Sequence, residues 1–175
     1  MPDLNTEKVI TLLNKALEFE LAGVVRYTHY SLMVFGYNRI PIVSWLRSQA
    51  DEGLLHAQQA GELVTHFGGH PSLGIGPLLE THNHDIGAIL VESLEHERAT
   101  LDVYCELLAE VEGKNVMLEE YARQMIHDEE LHLPADAAAY SVAAVEARNL
   151  NFQAYTNRAM IANHVAVAQA TTLVS

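Results

Sequence analysis

The stretch "FGGHPSLGIGP" (residues 67–77) divides the chain into two pairs of helices and decides its fold. Its four glycines and two prolines exclude a continuous helix across it. Together with "LLETHNHD" (78–85) it forms a connection that is long for a helical bundle. Such a connection can lead the chain along the full length of a bundle, from one end to the other.

Helical patterns fill the chain on both sides of this connection. Asn5 or Thr6 can cap the first helix, and Gly113 in "EGKN" (112–115) can end the third in a left-handed conformation. Patterns typical of strands are nearly absent. The sequence therefore predicts an all-α four-helix bundle with one long crossover connection and a short C-terminal fifth helix. The predicted bounds are about 5–37, 41–66, 85–112, 116 into the 140s, and 152–168.

Length and composition favour a single globular domain. The chain has 175 residues, of which 49% are hydrophobic and 19% are charged. We expect one domain over residues 1–175, with the bundle at about 5–148 and a helical tail at about 150–175. No export-signal pattern is visible at the N-terminus, and no uncharged apolar run reaches the roughly 18–20 residues of a membrane span. A cytoplasmic protein with no membrane partner is the expectation.

The charge balance narrows the class of partner. Ten Lys and Arg residues against 23 Asp and Glu residues give a formal charge of −13. Such a surface repels nucleic acid and attracts cations, metal ions included, although acidity that serves only solubility is an equal alternative. Cys105 is the only cysteine, which excludes an internal disulfide, a cysteine-based zinc site and an iron–sulfur centre.

Acidic residues interrupt the apolar stripes of the predicted helices. A stripe at helical spacing follows each helix, and at least one acid lies within each stripe. The assignment on the third helix is open, because Glu92 and Glu97 lie close to the favoured Glu95. The interrupting residues are Glu20 on the first helix, Glu52 and His56 on the second, Glu95 on the third, and Glu129 and His132 of "HDEELH" (127–132) on the fourth.

This pattern favours a pair of metal ions. Buried carboxylates are costly unless they are paired, hydrogen-bonded or bound to metal, and no Lys or Arg lies within the stripes of the first, second and fourth helices. Each acid alone has an ordinary explanation, such as a position at a bundle end. Four acids together balance two divalent ions, and two imidazoles complete the ligand set. Oxygen-rich ligation with one nitrogen per metal favours iron or manganese over zinc or calcium.

These residues resemble the ferritin-like di-iron carboxylate superfamily, and the bacterioferritins most closely. The superfamily takes one Glu from each of two helices and a Glu-x-x-His from each of the other two. Tyr27, seven residues after Glu20, matches a tyrosine that bacterioferritins keep beside the metals, and it is the candidate catalytic residue. The matching stretches are "FELAGVVRY" with Glu20, "DEGLLHA" with His56, "ESLEHERA" with Glu95, and "DEELH" with Glu129 and His132.

The resemblance implies an arrangement of ligands and an activity. Two Fe(II) ions would bind and be oxidised by O2 or H2O2, and the ferric product would be released or stored. The resemblance also implies a homo-oligomer, a shell of 24 subunits. The implied ligands are Glu20 with His56 for one iron ion and Glu95 with His132 for the other, bridged by Glu129 and Glu52.

Three positions depart from the bacterioferritin pattern. Gly53 stands where the family has its bridging Glu, so Glu52 is the acid that the second helix offers. Leu54 stands where bacterioferritins carry a haem-ligating methionine, so haem binding of that kind is not expected. Pro134, two residues after His132, is expected to kink or end the fourth helix just beyond the site.

Three functions are compatible with these observations. The leading hypothesis is a ferroxidase and iron-storage protein of the bacterioferritin type. One alternative is a di-iron or di-manganese oxidase or peroxidase that stores no mineral. Another is a ferritin-like binding protein with a degenerate metal site, in which the C-terminal tail serves protein–protein contact.

Overall fold

Four α-helices make up the computed structural model, which describes residues 4–35, 39–78 and 85–174. Asn5 and Asp85 cap the first and third helices, since their side chains accept hydrogen bonds from the backbone N–H groups of Lys8 and Ala88 (3.1 and 3.0 Å). Gly113 has the predicted left-handed conformation, with a φ of 69°. No strand occurs among the described residues, and the all-α class is confirmed. The helices are α1 (Thr6–Met33), α2 (Arg39–His66), α3 (Ile86–Val111) and α4 (Val116–Val174).

The apolar contacts between helices establish the topology of the bundle. At one end, Val9 near the start of α1 packs in one cluster with Val64 near the end of α2 and Val111 at the end of α3. At the other end, Tyr30 near the end of α1 packs with Ile89 near the start of α3. Hence α1 is antiparallel to both α2 and α3, while α2 and α3 are parallel. The connection between α2 and α3 must then pass along the whole bundle, which confirms the predicted crossover.

The first part of this crossover lies across the outer face of α1. The Asn14 side chain accepts a hydrogen bond from the Ser72 backbone N–H (2.8 Å), and the Glu18 carboxylate accepts one from the Ser72 hydroxyl. The Gly76 N–H donates to the Glu18 backbone carbonyl at 2.8 Å. A Cβ at position 76 would lie 2.9 Å from that carbonyl oxygen, so this close approach requires glycine. The second part of the connection, residues 79–84, lies outside the described residues.

The fourth helix is longer than the sequence pattern predicts. It has 59 residues, against 26 to 28 in the other three, and extends over about 88 Å. The segment predicted as a fifth helix is helical, but it continues α4 without a break. An end of the helix at Pro134 was a wrong expectation, because proline removes one backbone hydrogen bond while the alanine-rich run that follows favours helix. None of the described helices has the length and apolar character needed to span a bilayer.

Candidate metal centre

Buried carboxylates and histidines from all four helices meet near the middle of the bundle. They line a cavity of about 20 Å³. Apolar clusters around Leu17 on one side and Tyr30 on the other separate the cavity from the two ends of the bundle. The acids and histidines that could hold a metal ion are Glu20 of α1, Glu52 and His56 of α2, Glu97 of α3, and Glu129 and His132 of α4.

Two groups of ligand atoms share one carboxylate. Glu20, His56 and Glu129 place one ligand atom each within 4.8 Å of one another, and so do Glu97, Glu129 and His132. The Nδ1 atom of His56 lies 3.5 Å from Glu20 Oε1 and 3.9 Å from Glu129 Oε1. Glu129 belongs to both groups, which is the position of a bridging ligand. Both groups offer a histidine nitrogen and carboxylate oxygens, the donor set that suits iron or manganese.

Glu52 approaches the cavity from its solvent side. Its Oε1 atom lies 3.4 Å from His132 Nε2, and Gln49 donates a hydrogen bond to its Oε2 atom at 3.2 Å. The Glu52 side chain is 39% exposed, whereas that of Glu129 is 3% exposed. A Cβ at position 53 would face the interior, 3.5 Å from Glu20 Oε2. A side chain at position 53 would therefore point into the bundle, whereas the Glu52 side chain lies at the solvent edge of the cavity.

The structure corrects the predicted carboxylate of the third helix. Glu95 is exposed, whereas Glu97 is 8% exposed and lines the cavity. The inner face of α3 carries Ser93, His96 and Thr100, all buried polar residues. The apolar stripe through Glu95 therefore did not mark the inner face. The other predicted ligand positions and Tyr27 all lie at the cavity.

Two tyrosines make reciprocal hydrogen bonds across the site. Tyr27 of α1 donates to Glu97 of α3, and Tyr104 of α3 donates to Glu20 of α1 at 2.6 Å. Tyr27 follows Glu20 by seven residues, and Tyr104 follows Glu97 by seven. Because α1 and α3 are antiparallel, each tyrosine lies beside the glutamate of the other helix. Tyr27 was predicted as a site residue from the sequence, whereas Tyr104 was not. The repeated spacing was the signal that could have identified both Glu97 and Tyr104.

Burial makes the charged forms of the site acids costly. Burial raises the pKa of Glu20 and that of Glu129, and for Glu129 the hydrogen bond to Glu97 and the charge of Glu97 add to the effect. Burial alone would lower the pKa of His56, but its hydrogen bond to Glu20 and the charge of Glu20 outweigh burial, and the pKa is raised. The metal-free site therefore holds protons that cations must displace.

His96 packs beside the site as a neutral side chain. Burial and the charge of Arg26 lower its pKa to about 4. Its Nδ1 atom lies 3.3 Å from Arg26 Nη1, and its ring stacks on that of Phe19 with centroids 6.2 Å apart. A Cβ at Gly23 would lie 3.0 Å from His96 Nε2, so the small residue on α1 leaves room for the ring. These contacts hold α3 against α1 next to Glu97.

The residues present fit a metal pair. The Oε2 atom of Glu129 is buried and has no hydrogen-bond partner among the described residues, which is costly for a carboxylate oxygen unless a cation binds it. The ion pairs that Glu20, Glu52 and Glu129 make in the described structure are with the site histidines. A cation is therefore the missing counter-charge.

Comparison with known families agrees with this geometry. The family model named Ferritin, which describes a ferritin-like domain, matches residues 10–135. This range is most of the chain. The chain belongs to the ferritin-like family. Its resemblance to the ferritin-like di-iron carboxylate proteins, drawn above from "DEELH" and its partner stretches, is confirmed. No curated protein sequence matches the chain.

Solved structures share the ferritin-like fold of this chain. Ferritin-like, di-iron carboxylate proteins from Bacillus anthracis str. Ames superpose with a TM-score of 0.74 at 21% identity, over 79% of this chain and 99% of theirs. A dodecameric thioferritin, the bacterioferritin-related protein of Bacteroides fragilis, superposes with a TM-score of 0.72 at 21% identity. The match covers 83% of this chain and 91% of the thioferritin. The bacterioferritin of Desulfovibrio desulfuricans, which has a di-iron site, superposes with a TM-score of 0.69 at 26% identity. The match covers 78% of this chain and 80% of the bacterioferritin.

Proposed function

We propose that this ferritin-like protein is a ferroxidase of the bacterioferritin type that binds two Fe(II) ions per chain in the bundle core and oxidises them. The observation that carries the proposal is the pair of ligand groups joined by Glu129. Ligand atoms from four separate helices converge there, and the buried Oε2 atom of Glu129 lacks a hydrogen-bond partner among the described residues. Charge balance supports two ions, because four carboxylates offset two divalent cations.

The residues divide into two ligand sets. Glu20 and His56 would hold one Fe(II) ion, Glu97 and His132 would hold the other, and Glu129 would bridge them. Glu52, beside His132 at the solvent edge, would complete the second set and admit iron from solution. Tyr27 fixes the orientation of Glu97 through its hydrogen bond.

The reaction balances with either oxidant. Each Fe(II) ion gives up one electron, and one O2 molecule takes two electrons and two protons to become H2O2. With H2O2 as the oxidant, two electrons and two protons give two water molecules. Glu129 holds a proton in the metal-free site, and it releases this proton when cations bind.

Storage and assembly belong to the same proposal. We propose one domain over residues 1–175, a cytoplasmic location, and a homo-oligomeric shell whose interior retains the ferric product. The thioferritin of Bacteroides fragilis, which shares the fold, is dodecameric, and this supports assembly of the present chain. Leu54, which is 42% exposed, offers no sulfur ligand, so no Soret band is expected after expression with added haem.

The test is the iron retained per chain after aerobic loading. Metal-free protein is given excess Fe(II) in air, passed through a gel-filtration column and analysed for iron and for size. Retention far above two iron ions per chain in a large assembly supports storage. The matched control is Glu129→Ala, which should retain almost none. Retention by the control equal to that of the wild type would contradict the proposed site.

One observation favours a second candidate function. The carboxylate of α2 lies at the edge of the site rather than at position 53, so the site departs from the storage proteins that it resembles. A di-iron or di-manganese oxidase or peroxidase without storage would retain about two ions per chain in the loading test. Retention near zero would instead support a ferritin-like binding protein with a degenerate site.

A further inference from the structure

The distal part of α4 contains a helical segment whose side chains are all exposed. The match to the ferritin-like domain ends at residue 135, but α4 continues as one helix to Val174. Within this extension, none of the side chains of residues 152–166 is buried against the bundle. We call these residues the distal segment. The distal segment contributes nothing to the metal site, so it is available for contact with another molecule.

One face of the distal segment combines apolar side chains with a single cation. Arg158, Ile161 and Val165 follow one another at spacings of three and four residues, so they share a face of the helix. The side chain of Ile161 is 64% exposed and that of Val165 is 50% exposed. Adjacent large apolar side chains on an exposed helix are typical of a surface that a partner covers.

The charge of this end of the chain is opposite to that of the rest. Residues 147–175 contain two of the ten basic residues, Arg148 and Arg158, and no Asp or Glu. The preceding 146 residues therefore carry eight basic residues against 23 acidic ones, a formal charge of −15. Two bundles of this charge repel each other, whereas the distal segment and a bundle attract.

The bundle has an open groove between α2 and α4 that complements the distal segment. The groove has a volume of about 500 Å³, and Leu55, Glu62 and Leu63 of α2 and Tyr121 of α4 are among the residues that line it. Leu55 is 52% exposed. The groove thus offers apolar side chains and one acid, the counterparts of the apolar side chains and the cation of the distal segment.

The spacing of these residues fixes one alignment of the two helices. Seven residues separate Leu55 from Glu62 on α2, and seven separate Arg158 from Val165 on the distal segment. In an antiparallel pair of helices, Val165 placed against Leu55 therefore places Arg158 against Glu62. Apolar side chains then meet apolar side chains, and the cation meets the acid.

The groove that receives the distal segment must belong to another copy of the chain. Tyr121, which lines the groove, and the distal segment are parts of the same uninterrupted helix. A continuous helix does not fold back onto its own side, so the distal segment does not reach the groove of its own bundle.

We propose that the distal segment of α4 docks as an antiparallel helix in the α2–α4 groove of a second copy, with Val165 against Leu55 and Arg158 against Glu62. The partner is another copy of this chain, and reciprocal docking gives two identical contacts related by a two-fold axis. The inference goes beyond the proposed ferroxidase function and does not depend on it, because neither surface contains a proposed metal ligand.

Disulfide cross-linking of the full-length, metal-free protein tests the contact. Cys105 is exposed, so Cys105→Ser is the background for Leu55→Cys, for Val165→Cys and for the two together. After mild oxidation, only the chain with both cysteines should give covalent dimers, with residue 55 linked to residue 165 in the peptide map. Dimers of Val165→Cys alone would show that two distal segments pack on each other and would overturn the proposal. Absence of dimers in all three samples would overturn it as well.

Charge reversal tests the alignment, with sedimentation of the full-length protein at several concentrations as the measurement. Arg158→Glu and Glu62→Arg should each weaken the association of copies by about tenfold, and the double variant should restore it. Val165→Glu should also weaken it. Asn163→Glu, two residues away on the opposite face of the helix, is the matched control and should associate as the wild type does. Wild-type association in Val165→Glu, or a double variant weaker than either single one, would contradict the proposed docking.

Discussion

His132 of α4 lies 3.4 Å from Glu52 of α2, measured from Nε2 to Oε1, and this contact joins two helices at the solvent edge of the proposed metal site. One position along α2, the absent side chain of Gly53 would have pointed at Glu20. The acid of the second helix is thus displaced outward by one residue relative to the pattern of the family. The site stays open on that side.

Glu52→Gln should weaken binding of the metal ion beside His132, because it removes a negative charge while keeping the shape of the side chain. A loss of affinity of roughly 10–100-fold is expected. Gly53→Glu in the Glu52→Gln background should restore affinity, since its Cβ fits 3.5 Å from Glu20 Oε2. Calorimetric Co(II) titration measures both. Unchanged affinity in Glu52→Gln would remove Glu52 from the ligand set.

Glu97→Gln and Glu95→Gln form a matched pair two residues apart on α3. Glu97 is buried at the cavity and Glu95 is exposed, so only the first change should reduce bound metal, from two ions per chain to one. Metal analysis after dialysis against Co(II) provides the count. The reverse result, a loss caused by Glu95→Gln alone, would show that the exposed acid is the ligand.

Glu129→Gln should make the metal-free protein more stable than the wild type, by a difference that grows as pH rises. The pKa of Glu129 is raised on folding by burial and by Glu97, so its contribution to stability is complete below the unfolded value of about 4.5 and is lost as pH rises above that value. Gln carries no such cost. The melting temperature of Glu129→Gln should therefore exceed that of the wild type at pH 8, by the equivalent of about 1–3 kcal/mol, and the two should converge near pH 4.5. A difference independent of pH would contradict the proposed burial of a protonated Glu129.

Gly76→Ala tests the crossover that lies on α1. The new Cβ would meet the Glu18 carbonyl oxygen at 2.9 Å and the Phe19 Cα at 3.2 Å, so a loss of about 1–3 kcal/mol in the free energy of unfolding is expected. Gly61→Ala is the matched control within α2, where a Cβ meets nothing within 4 Å. It should stabilise the protein by about 0.5–1 kcal/mol through helix propensity. Urea denaturation compares the two variants, and equal effects would show that the crossover does not approach α1 closely.

The sequence predicted the helices, the crossover and most of the cavity because each has a local signal. Glycines and prolines mark the connection, and Glu20, His56 and Glu129 interrupt stripes that are otherwise apolar. Such stripes could not identify Glu97, because the inner face of α3 is itself polar, with His96 and Thr100 buried.

Local sequence patterns could not predict contacts between segments that are distant in the sequence. The hydrogen bond from Tyr104 to Glu20 joins residues 84 positions apart. The hydrogen bond from the Gly76 N–H to the Glu18 carbonyl depends on the path of the crossover along α1. The fourth helix was predicted to reach the 140s, with a kink or end expected at Pro134 and a separate helix at 152–168. The helix does not end at Pro134, because the alanine-rich run that follows favours helix, and it continues to Val174.

A pair of metal ions bridged by Glu129 can be tested by counting the Fe(II) ions bound per chain at equilibrium without oxygen. Anaerobic dialysis of the wild type against Fe(II) should give two ions per chain, and Glu129→Ala should give fewer than one. One ion or none in the wild type, or two ions in Glu129→Ala, would contradict a site in which this carboxylate joins two metals.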